Sequence, residues 1–368
     1  MAIQFDEGES TQPSDGWAER RFHTMDGLRG AAAIVVVIGH IPHWTVHMFP
    51  HFYLAVDLFF MLSGFVISLA YEHRLKSRLT VLQFLIARYI RLYPLYIVGT
   101  VLGIASTAAA LAMGKGELTV ATFPISVAAA LLMLPSPTWY QSLSLMPFND
   151  PSWSLLYELL MNLCYALILP WLTLTRLIIV VLISAVALVW VDLHLHTLHT
   201  GFDWSTVPFG ICRVVFPYSV GVLLYRVLPR HTVATWWAYL LPLIFLAVVT
   251  AHAPRAELVE LPAVMIVFPV LIALAACLDV PKALLFAFLG SVSYPLYVMH
   301  YSVIVLISRA LHTLQLEGSH YAPWLGIFVI AGLVVLSAYL ERYYDIPVRV
   351  ASRRWMRIKP PSSLSARV

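Results

Sequence analysis

Charged residues are nearly absent from the middle of this chain, and their absence limits the possible folds more than any motif does. Of the 42 charged residues, 24 are spread over the 311 residues from 30 to 340. The other 18 divide equally between residues 1–29 and residues 341–368. Hydrophobic residues form 60% of the chain, and the mean hydropathy is +0.82. This composition excludes a disordered chain and an ordinary soluble enzyme, and it predicts a helical membrane protein with charged ends.

Apolar runs of helix length occupy most of the chain. Because one spanning helix needs about 20 apolar residues, 368 residues hold ten or eleven helices and leave no room for a soluble catalytic domain. Any chemistry must therefore take place inside the helix bundle. The runs lie near 27–46, 52–71, 92–113, 120–135, 154–172, 177–192, 208–228, 235–252, 258–278, 284–311 and 322–345.

Lysine and arginine are distributed unevenly among the connections, and this bias orients the helices. Cytoplasmic connections carry an excess of both residue types. Residues 72–91 contain five of them, and the end of the chain contains another group, so both segments are predicted to be cytoplasmic. The connections 136–152, 192–207 and 312–321 contain none, which indicates the outer side.

Ten crossings satisfy this assignment, whereas eleven would place the two ends on opposite sides. The shortest run, 120–135, contains a proline and is expected to be re-entrant or broken. We therefore predict an all-α polytopic membrane protein with about ten transmembrane helices, one re-entrant or broken helix, and both termini in the cytoplasm. Residues 1–23 are predicted to form a disordered polar tail, 24–348 the membrane domain, and 349–368 a basic tail.

The first run carries two polar side chains on one helical face. Arg29 and His40 are eleven residues apart, which corresponds to three turns plus about 20° and to an axial rise of about 16 Å. Arg29 then lies at the cytoplasmic mouth and His40 in the outer half. Polar groups at such depths are costly and often functional. A snorkelling arginine and a hydrogen-bonded core histidine would also fit the pattern.

Three further groups are expected towards the outer side. Asp57 enters the second run close to the level of His40, where it could orient the imidazole as in hydrolytic triads. A carboxylate stabilised by a helix N-terminus is the alternative for Asp57. Arg213, at the outer end of its run, is a candidate partner for a carboxylate. His300 lies past the midplane of its run.

A basic cluster is predicted at the cytoplasmic edge. Arg88 and Arg91 lie one turn apart on one helix face. Together with Arg29, they could hold phosphate groups. Simple anchoring by the positive-inside rule is the alternative.

Two other segments contribute candidate residues. Glu158 follows Trp153 in a run that begins on the outer side, and an acid at this depth is either paired with an arginine or used in catalysis. In the second run, Ser63 and Gly64 permit the close approach of another helix or a local kink.

Seven histidines fall into two groups that raise the question of a metal site. They are His40, His43, His47 and His51, spaced by three or four residues, and His194, His196 and His199 in an outer connection. Pro42 interrupts the helical face after His40, and no cysteine joins either group. We therefore predict no metal site and expect solvated or interfacial histidines.

Several of these segments resemble, in the same order, the acyltransferase-3 family of integral-membrane acyltransferases. Met25–Gly30 followed by His40 looks like the family's Arg-x10-His signature. The Phe-Phe-x-Leu-Ser-Gly-Phe, Arg-x-x-Arg-x-x-Pro, Trp-Ser-Leu-x-x-Glu and Ser-Tyr-Pro-Leu-Tyr-x-x-His runs and the closing Glu341–Pro347 are similar too. The resemblance spans roughly residues 24–350. One departure is Ala87, where the family often has arginine.

The resemblance implies transfer of an acyl group, often acetyl from acetyl-CoA, to a hydroxyl of a carbohydrate or glycan. It implies an acyltransferase that transfers groups other than aminoacyl groups, in a bacterial inner membrane, working with envelope polysaccharide assembly. His40 is then the catalytic base or an acyl carrier, and the residues leave both mechanisms open. The other predicted roles are supporting acids near the acceptor for Glu158 and Asp57, phosphate binding for Arg29, Arg88 and Arg91, and support for Ser63, Trp153, Arg213 and His300.

Two other functional classes remain open on the sequence. A transporter or flippase for a lipid-linked sugar or a small metabolite would also need a polar path through the bundle. A non-catalytic scaffold for an envelope assembly is a third possibility. The net charge of +4 follows from basic connections and does not indicate nucleic-acid binding.

Overall fold

The computed structural model describes residues 21–41, 48–115, 118–139, 144–229, 231–316 and 324–355. Helices joined by short connections make up nearly all of this part of the chain. They are α1 (His23–His40), α2 (Leu54–Ser77), α3 (Val81–Ala112), α4 (Phe123–Leu131), α5 (Trp153–Ile168), α6 (Leu174–Leu195), α7 (Val207–Val227), α8 (Leu240–Val249), α9 (Glu257–Cys277), α10 (Leu284–Thr313), α11 (Trp324–Leu340) and α12 (Ile346–Trp355). A short parallel pair is formed by β1 (Val233–Ala234) and β2 (Leu278–Asp279).

Most of the predicted tails lies outside the described residues, as do Pro42, His43 and His47. The described chain extends the final helix beyond the predicted boundary at residue 348. A π-helical turn, Glu341–Asp345, joins α11 to α12, which continues to Trp355.

The predicted all-α polytopic membrane fold is confirmed. Eight helical segments of the described chain are long and apolar enough to cross a membrane by length and composition. Two predicted crossings are not among these eight segments. The charged residues Asp26 and Arg29 make α1 less apolar, and the helical segment Trp236–Val249 is shorter than the others. The nine residues of α4 extend about 14 Å, less than half of a hydrocarbon core of about 30 Å. The run 120–135 therefore forms a short helix, as expected.

The polar helix α1 lies at the centre of the bundle. It packs against α2, α8, α9, α10 and α11, so other helices surround it. Most of its residues are buried, including Leu28, Ala32, Val35 and Val37. Enclosure by protein explains how a helix with two charged residues is tolerated in an apolar environment.

The connections gather at two ends of the bundle. At one end, β1 pairs with β2, and Asp279 accepts hydrogen bonds from the backbone (3.1 Å) and hydroxyl (3.2 Å) of Thr24. At the other end, the amide of His51 donates to the carbonyl of Val249 (3.2 Å). The positive-inside rule assigns the first end to the cytoplasm, because it carries Arg74, Lys76, Arg78, Arg88, Arg91, Arg176, Arg226, Lys282, Arg342, Arg349, Arg353 and Arg354.

Two glycines allow α2 and α7 to meet backbone to backbone. A Cβ atom on Gly64 would collide with the carbonyl oxygen of Tyr218, and one on Gly221 would collide with that of Met61. Neither obstacle is a flexible side chain that could move aside. Small residues permit such close contacts between membrane helices, and this contact places Ser63 against the interior of the bundle.

The glycine contact predicts a sharp difference between two alanine substitutions. Gly64→Ala should destabilise the protein by about 1–3 kcal/mol, because the added methyl group overpacks a backbone contact. Gly332→Ala on α11 is the matched control, since a Cβ atom there meets nothing within 4 Å. Thermal unfolding of the purified protein in detergent measures both effects. Equal midpoints for Gly64→Ala and the wild type would contradict this description of the α2–α7 contact.

Candidate active site

Two neighbouring cavities lie along α1, one towards the cytoplasmic end and one towards the outer end. The inner cavity has a volume of about 200 Å³ and the outer cavity about 230 Å³. Val56 of α2 and Tyr297 of α10 line both cavities. These two side chains therefore mark the place where the cavities meet.

The three arginines that were predicted to bind phosphate all line the inner cavity. Arg29 Nη2 donates to Ser293 Oγ at 3.4 Å, and Arg29 Nη1 lies 3.5 Å from Asp26 Oδ1. Arg88 Nε and Arg91 Nη1 are buried and form no hydrogen bond with any residue that the structure describes. Arg91 Nη1 lies 3.7 Å from Asp345 Oδ2. Buried donors normally have acceptors, so the guanidinium groups of Arg88 and Arg91 keep unused hydrogen-bonding capacity beside this cavity.

Glu158 also lies in the inner cavity, although the sequence predicts it beside the acceptor. Its Oε1 accepts hydrogen bonds from Arg88 Nη2 (2.6 Å) and from Ser63 Oγ (2.9 Å). Glu158 lies about 7.5 Å farther along α5 than Trp153. This distance places its carboxylate beside Arg88 of α3 and away from the outer cavity. Its carboxylate compensates one arginine of the inner cavity.

His40 lines the outer cavity and presents one ring nitrogen as a base. Its Nδ1 lies 2.8 Å from the carbonyl oxygen of Val36. Because a carbonyl oxygen only accepts hydrogen bonds, Nδ1 carries the proton in the neutral ring, and the lone pair lies on Nε2. The ring packs edge to face against Phe52 (5.4 Å between centroids) and Tyr301 (5.7 Å). His40 can therefore act as a general base or a nucleophile through Nε2.

His300 packs directly against His40, with ring centroids 4.9 Å apart. Its Nδ1 donates to the carbonyl oxygens of Tyr297 (2.6 Å) and Leu296 (3.2 Å), so its lone pair is also on Nε2. That Nε2 atom is buried and accepts no hydrogen bond from the described residues. A buried acceptor thus lies beside the ring that would gain a proton during general-base catalysis.

Asp57 forms a fully buried ion pair with Arg213. Arg213 Nε and Nη2 donate to its two carboxylate oxygens at 2.9 and 2.6 Å, and the side chains are 0% and 1% exposed. The carboxylate that Arg213 was expected to meet is therefore Asp57. His40 is instead oriented by the carbonyl oxygen of Val36. His40 and Asp57 therefore have separate partners, in place of the predicted contact between them.

Arg213 is held further by the outer connections, and it ties several of them together. Its Nη1 and Nη2 donate to the carbonyl oxygens of Thr200 (3.0 Å) and Tyr53 (2.8 Å). Its guanidinium also lies 5.7 Å from the ring centroid of Trp153, which lines the outer cavity as well. Trp153 and Arg213 therefore shape this cavity from its wall.

The structure adds two acidic residues that the sequence reasoning missed, one that binds Tyr53 in the wall of the outer cavity and one that lines this cavity itself. Glu260 is completely buried and accepts hydrogen bonds from the hydroxyl of Tyr53 and the amide of Leu198. Asp150 lines the outer cavity and accepts a hydrogen bond from Ser144 Oγ at 2.7 Å. Glu260 stands near the start of an apolar run, where an acid resembles an ordinary helix-end charge. Its burial is visible only in the tertiary structure, where the outer connection that contains Leu198 contacts its carboxylate.

The described histidines of the two groups lie in separate environments. His51 Nδ1 lies 3.7 Å from Glu260 Oε1, whereas His196 Nδ1 lies 2.7 Å from Glu257 Oε1. His199 stacks on the ring of Tyr53 in the outer cavity, 4.6 Å between centroids. Burial, reinforced by the charge of Arg213, lowers the pKa of His199 to about 4, so its ring is neutral at pH 7. No group of three possible metal ligands occurs among the described residues.

A match to a known family identifies the class of protein. The model of this family, described as an acyltransferase domain, matches residues 22–341. The chain belongs to the acyltransferase-3 family. A protein of Rhizobium radiobacter, called protein 2 in the picA locus, is 35% identical over 182 residues, which cover 46% of this chain and 93% of that protein. No solved structure matches the chain.

Membership of the acyltransferase-3 family decides between the functional classes that the sequence left open. The protein is an integral-membrane acyltransferase, and the transporter and scaffold alternatives lose their support. Both cavities and all the candidate residues described above lie within the matched range.

The Asp57–Arg213 pair of this acyltransferase predicts a distinctive pattern of stability. Arg213→Met should destabilise the protein by about 3–5 kcal/mol, because it leaves a buried carboxylate without its partner. Combining it with Asp57→Leu removes both charges and should restore much of the loss. Thermal unfolding in detergent compares the two variants, with exposed Arg354→Met as the control. A double variant as unstable as Arg213→Met would show that the unpaired charge is not the cause.

Proposed function

We propose that this membrane acyltransferase transfers an acyl group, with acetyl as the expected group, from cytoplasmic acyl-CoA to a hydroxyl of a carbohydrate or glycan. The supporting observation is the order of the sites along α1. A cationic cavity at the cytoplasmic end precedes the cavity that contains His40. The orientation of the bundle and this donor fit a bacterial inner membrane, with the acceptor reached from the outer side.

The charges of the inner cavity fit the donor. The phosphates of CoA are strongly negative, and guanidinium groups bind phosphate through paired, charge-assisted hydrogen bonds. Arg29, Arg88 and Arg91 line the cavity, and Glu158 compensates only Arg88 directly. The rise of about 16 Å from Arg29 to His40 is of the order of the length of the pantetheine arm. The thioester would then reach His40 while the phosphates stay near the cytoplasm.

The outer cavity fits a sugar hydroxyl as the acceptor. Its wall combines aromatic rings with polar groups, namely those of Phe52, Tyr53, Trp153, Phe202 and Tyr301 and of Asp150 and His199. Sites for small amphiphilic ligands typically pair apolar walls with a few fixed hydrogen-bonding groups. Asp150 could accept a hydrogen bond from one acceptor hydroxyl while another hydroxyl faces His40.

The chemistry requires one proton shuttle. The acceptor oxygen attacks the carbonyl carbon of the thioester while His40 Nε2 takes the hydroxyl proton. The carbon–sulfur bond then breaks, the acyl group stays on the acceptor oxygen, and His40 returns the proton to the leaving thiolate. His300, whose ring centroid lies 4.9 Å from that of His40, is the expected neighbour that stabilises the transient imidazolium. In the second possible order, Nε2 of His40 attacks the thioester, the carbon–sulfur bond breaks and CoA leaves as the thiolate. The acceptor hydroxyl then attacks the acyl-imidazole, its proton passes to the thiolate, and the bond between carbon and Nε2 breaks.

Substitution of His40 tests the proposal. His40→Ala should lower acyl transfer by at least about 100-fold, because the base or nucleophile is lost. Binding of labelled acetyl-CoA should persist, since the phosphate-binding arginines line the other cavity. The readouts are acyl-CoA-dependent labelling of membrane carbohydrate and equilibrium binding to purified protein, with exposed His312→Ala as the control.

Undiminished labelling would refute the role of His40, and a wild type that binds no acetyl-CoA would refute the donor. Acid-quenched protein labelled without acceptor, in the wild type but not in His40→Ala, would establish the acyl-histidine order.

The junction between the cavities gives a second test. Val56→Phe should obstruct the route of the acyl group past Tyr297 and lower transfer several-fold, by a larger factor than it lowers the affinity for acetyl-CoA, because the phosphate contacts remain. Val186→Phe adds the same side chain at a position on α6 that is 71% exposed, so it should change neither quantity. The rate of carbohydrate labelling and the Kd for acetyl-CoA separate the two effects. Normal transfer in a folded Val56→Phe protein would show that the acyl group takes another route.

A further inference from the structure

A second group of arginines lies at the cytoplasmic end, beyond the inner cavity. The carboxylate of Asp345, whose side chain is 1% exposed, is shared by two of them. Its Oδ2 forms an ion pair with Arg349 Nη2 at 2.8 Å and lies 3.7 Å from Arg91 Nη1. Arg91 belongs to α3 and Arg349 to α12, so this carboxylate fastens the last described helix against α3.

Two more arginines add positive charge around the same carboxylate. Arg353 lies four residues beyond Arg349 on the same face of α12. It interacts electrostatically with Asp345, Arg91 and Arg74, the last of which comes from the cytoplasmic end of α2. Arg74, Arg91, Arg349 and Arg353, here called the arginine cluster, therefore carry a net charge of +3 when Asp345 is included.

Membrane anchoring does not account for the arrangement of the arginine cluster. Arginines that anchor a helix at the membrane surface extend their guanidinium groups into water. Here the side chain of Arg349 is 11% exposed and that of Arg91 is 24% exposed. Arg354, next to Arg353 on α12, is exposed as an anchoring residue should be. Like charges at partly buried positions repel each other strongly. Asp345 and Glu341, which also interacts electrostatically with Arg349, offset only part of this repulsion, so an anionic ligand would stabilise the cluster further.

The arginine cluster is continuous with the inner cavity. Arg91 lines that cavity and lies over the ring of Tyr294, 4.9 Å from the ring centroid. Its Nη1 atom is buried and forms no hydrogen bond with a described residue. Arg91 thus connects positive charge inside the cavity with positive charge at its cytoplasmic mouth. A ligand that carries phosphates at two separate places could contact both regions.

We infer that the arginine cluster binds the phosphate monoester of the donor, which in CoA is the 3′-phosphate of the ribose. The diphosphate of the same molecule then lies against Arg29 and Arg88 in the inner cavity. This inference rests on the proposed acyl-CoA donor, and it makes residues of α2 and α12 part of the donor site. A phosphate monoester brings up to two negative charges and three acceptor oxygens, which suit several guanidinium groups at once.

An anionic lipid of the cytoplasmic leaflet offers similar phosphate chemistry, so the experiment must separate the two sources. The full-length protein is placed in nanodiscs of phosphatidylcholine, alone or with added phosphatidylglycerol. Calorimetry then gives the Kd for CoA and for dephospho-CoA, which lacks the 3′-phosphate. Arg353→Gln is the main variant, because Arg353 forms no hydrogen bond or ion pair with Asp345 whose loss could unfold α12. Arg74→Gln tests the same site from α2, and exposed Arg354→Gln is the matched control.

The expected result is a loss of about tenfold in affinity for CoA in Arg353→Gln and Arg74→Gln, in both kinds of nanodisc. Affinity for dephospho-CoA should stay within twofold of the wild type, and Arg354→Gln should affect neither ligand. Equal CoA affinities in Arg353→Gln, Arg74→Gln and the wild type would overturn the inference and leave the proposed donor intact. Loss of bound phosphatidylglycerol in native mass spectrometry, with unchanged CoA affinity, would assign the cluster to lipid instead. A wild type that binds neither form of CoA would overturn the proposed function together with this inference.

Discussion

Compensation of buried charge is the constraint on which this bundle depends. An ionised group in an apolar interior is stable only with a partner or with water. Asp57 and Arg213 meet this requirement completely, at 2.6 Å and without exposure to solvent. Glu158 and Arg88 meet it at the wall of a cavity. Because the partners come from different helices, each pair fixes how those helices sit against one another.

The same constraint bears on the balance of arginines and carboxylates in the cytoplasmic half of the bundle. Each arginine of the inner cavity has a carboxylate within 4 Å, but Arg91 and Arg349 share that of Asp345, so arginines exceed carboxylates at the cytoplasmic mouth. The excess of cations near the cytoplasm favours an anionic ligand, whereas the outer cavity is lined mainly by aromatic rings and imidazoles, with Asp150 and the paired Arg213. In the proposed reaction, the acyl group moves past Val56 and Tyr297 from the arginine-lined cavity to the cavity that contains His40.

Much of the fold and part of the site could be predicted, because they depend on local regularities. The length of apolar runs predicted the helices, and the short α4 matches the run that contains Pro124. Helical spacing placed Arg88 and Arg91 on one face. The sequence predicts that Glu158 is either paired with an arginine or used in catalysis, but it does not identify Arg88 as the partner, because Arg88 lies 70 residues away along the chain. Asp57 was misjudged for the same reason, since 156 residues separate it from Arg213.

The sequence by itself determined that this chain is a charge-poor, polytopic helical membrane protein, and its motifs indicated the acyltransferase-3 family. It also determined that Arg29 and His40 share a face, because helix geometry fixes that relation within a single element. Only the tertiary structure decided which carboxylate meets which arginine, that His300 lies against His40, and that α12 brings two arginines to α3. These relations depend on how distant helices pack, and no local pattern of residues encodes that packing.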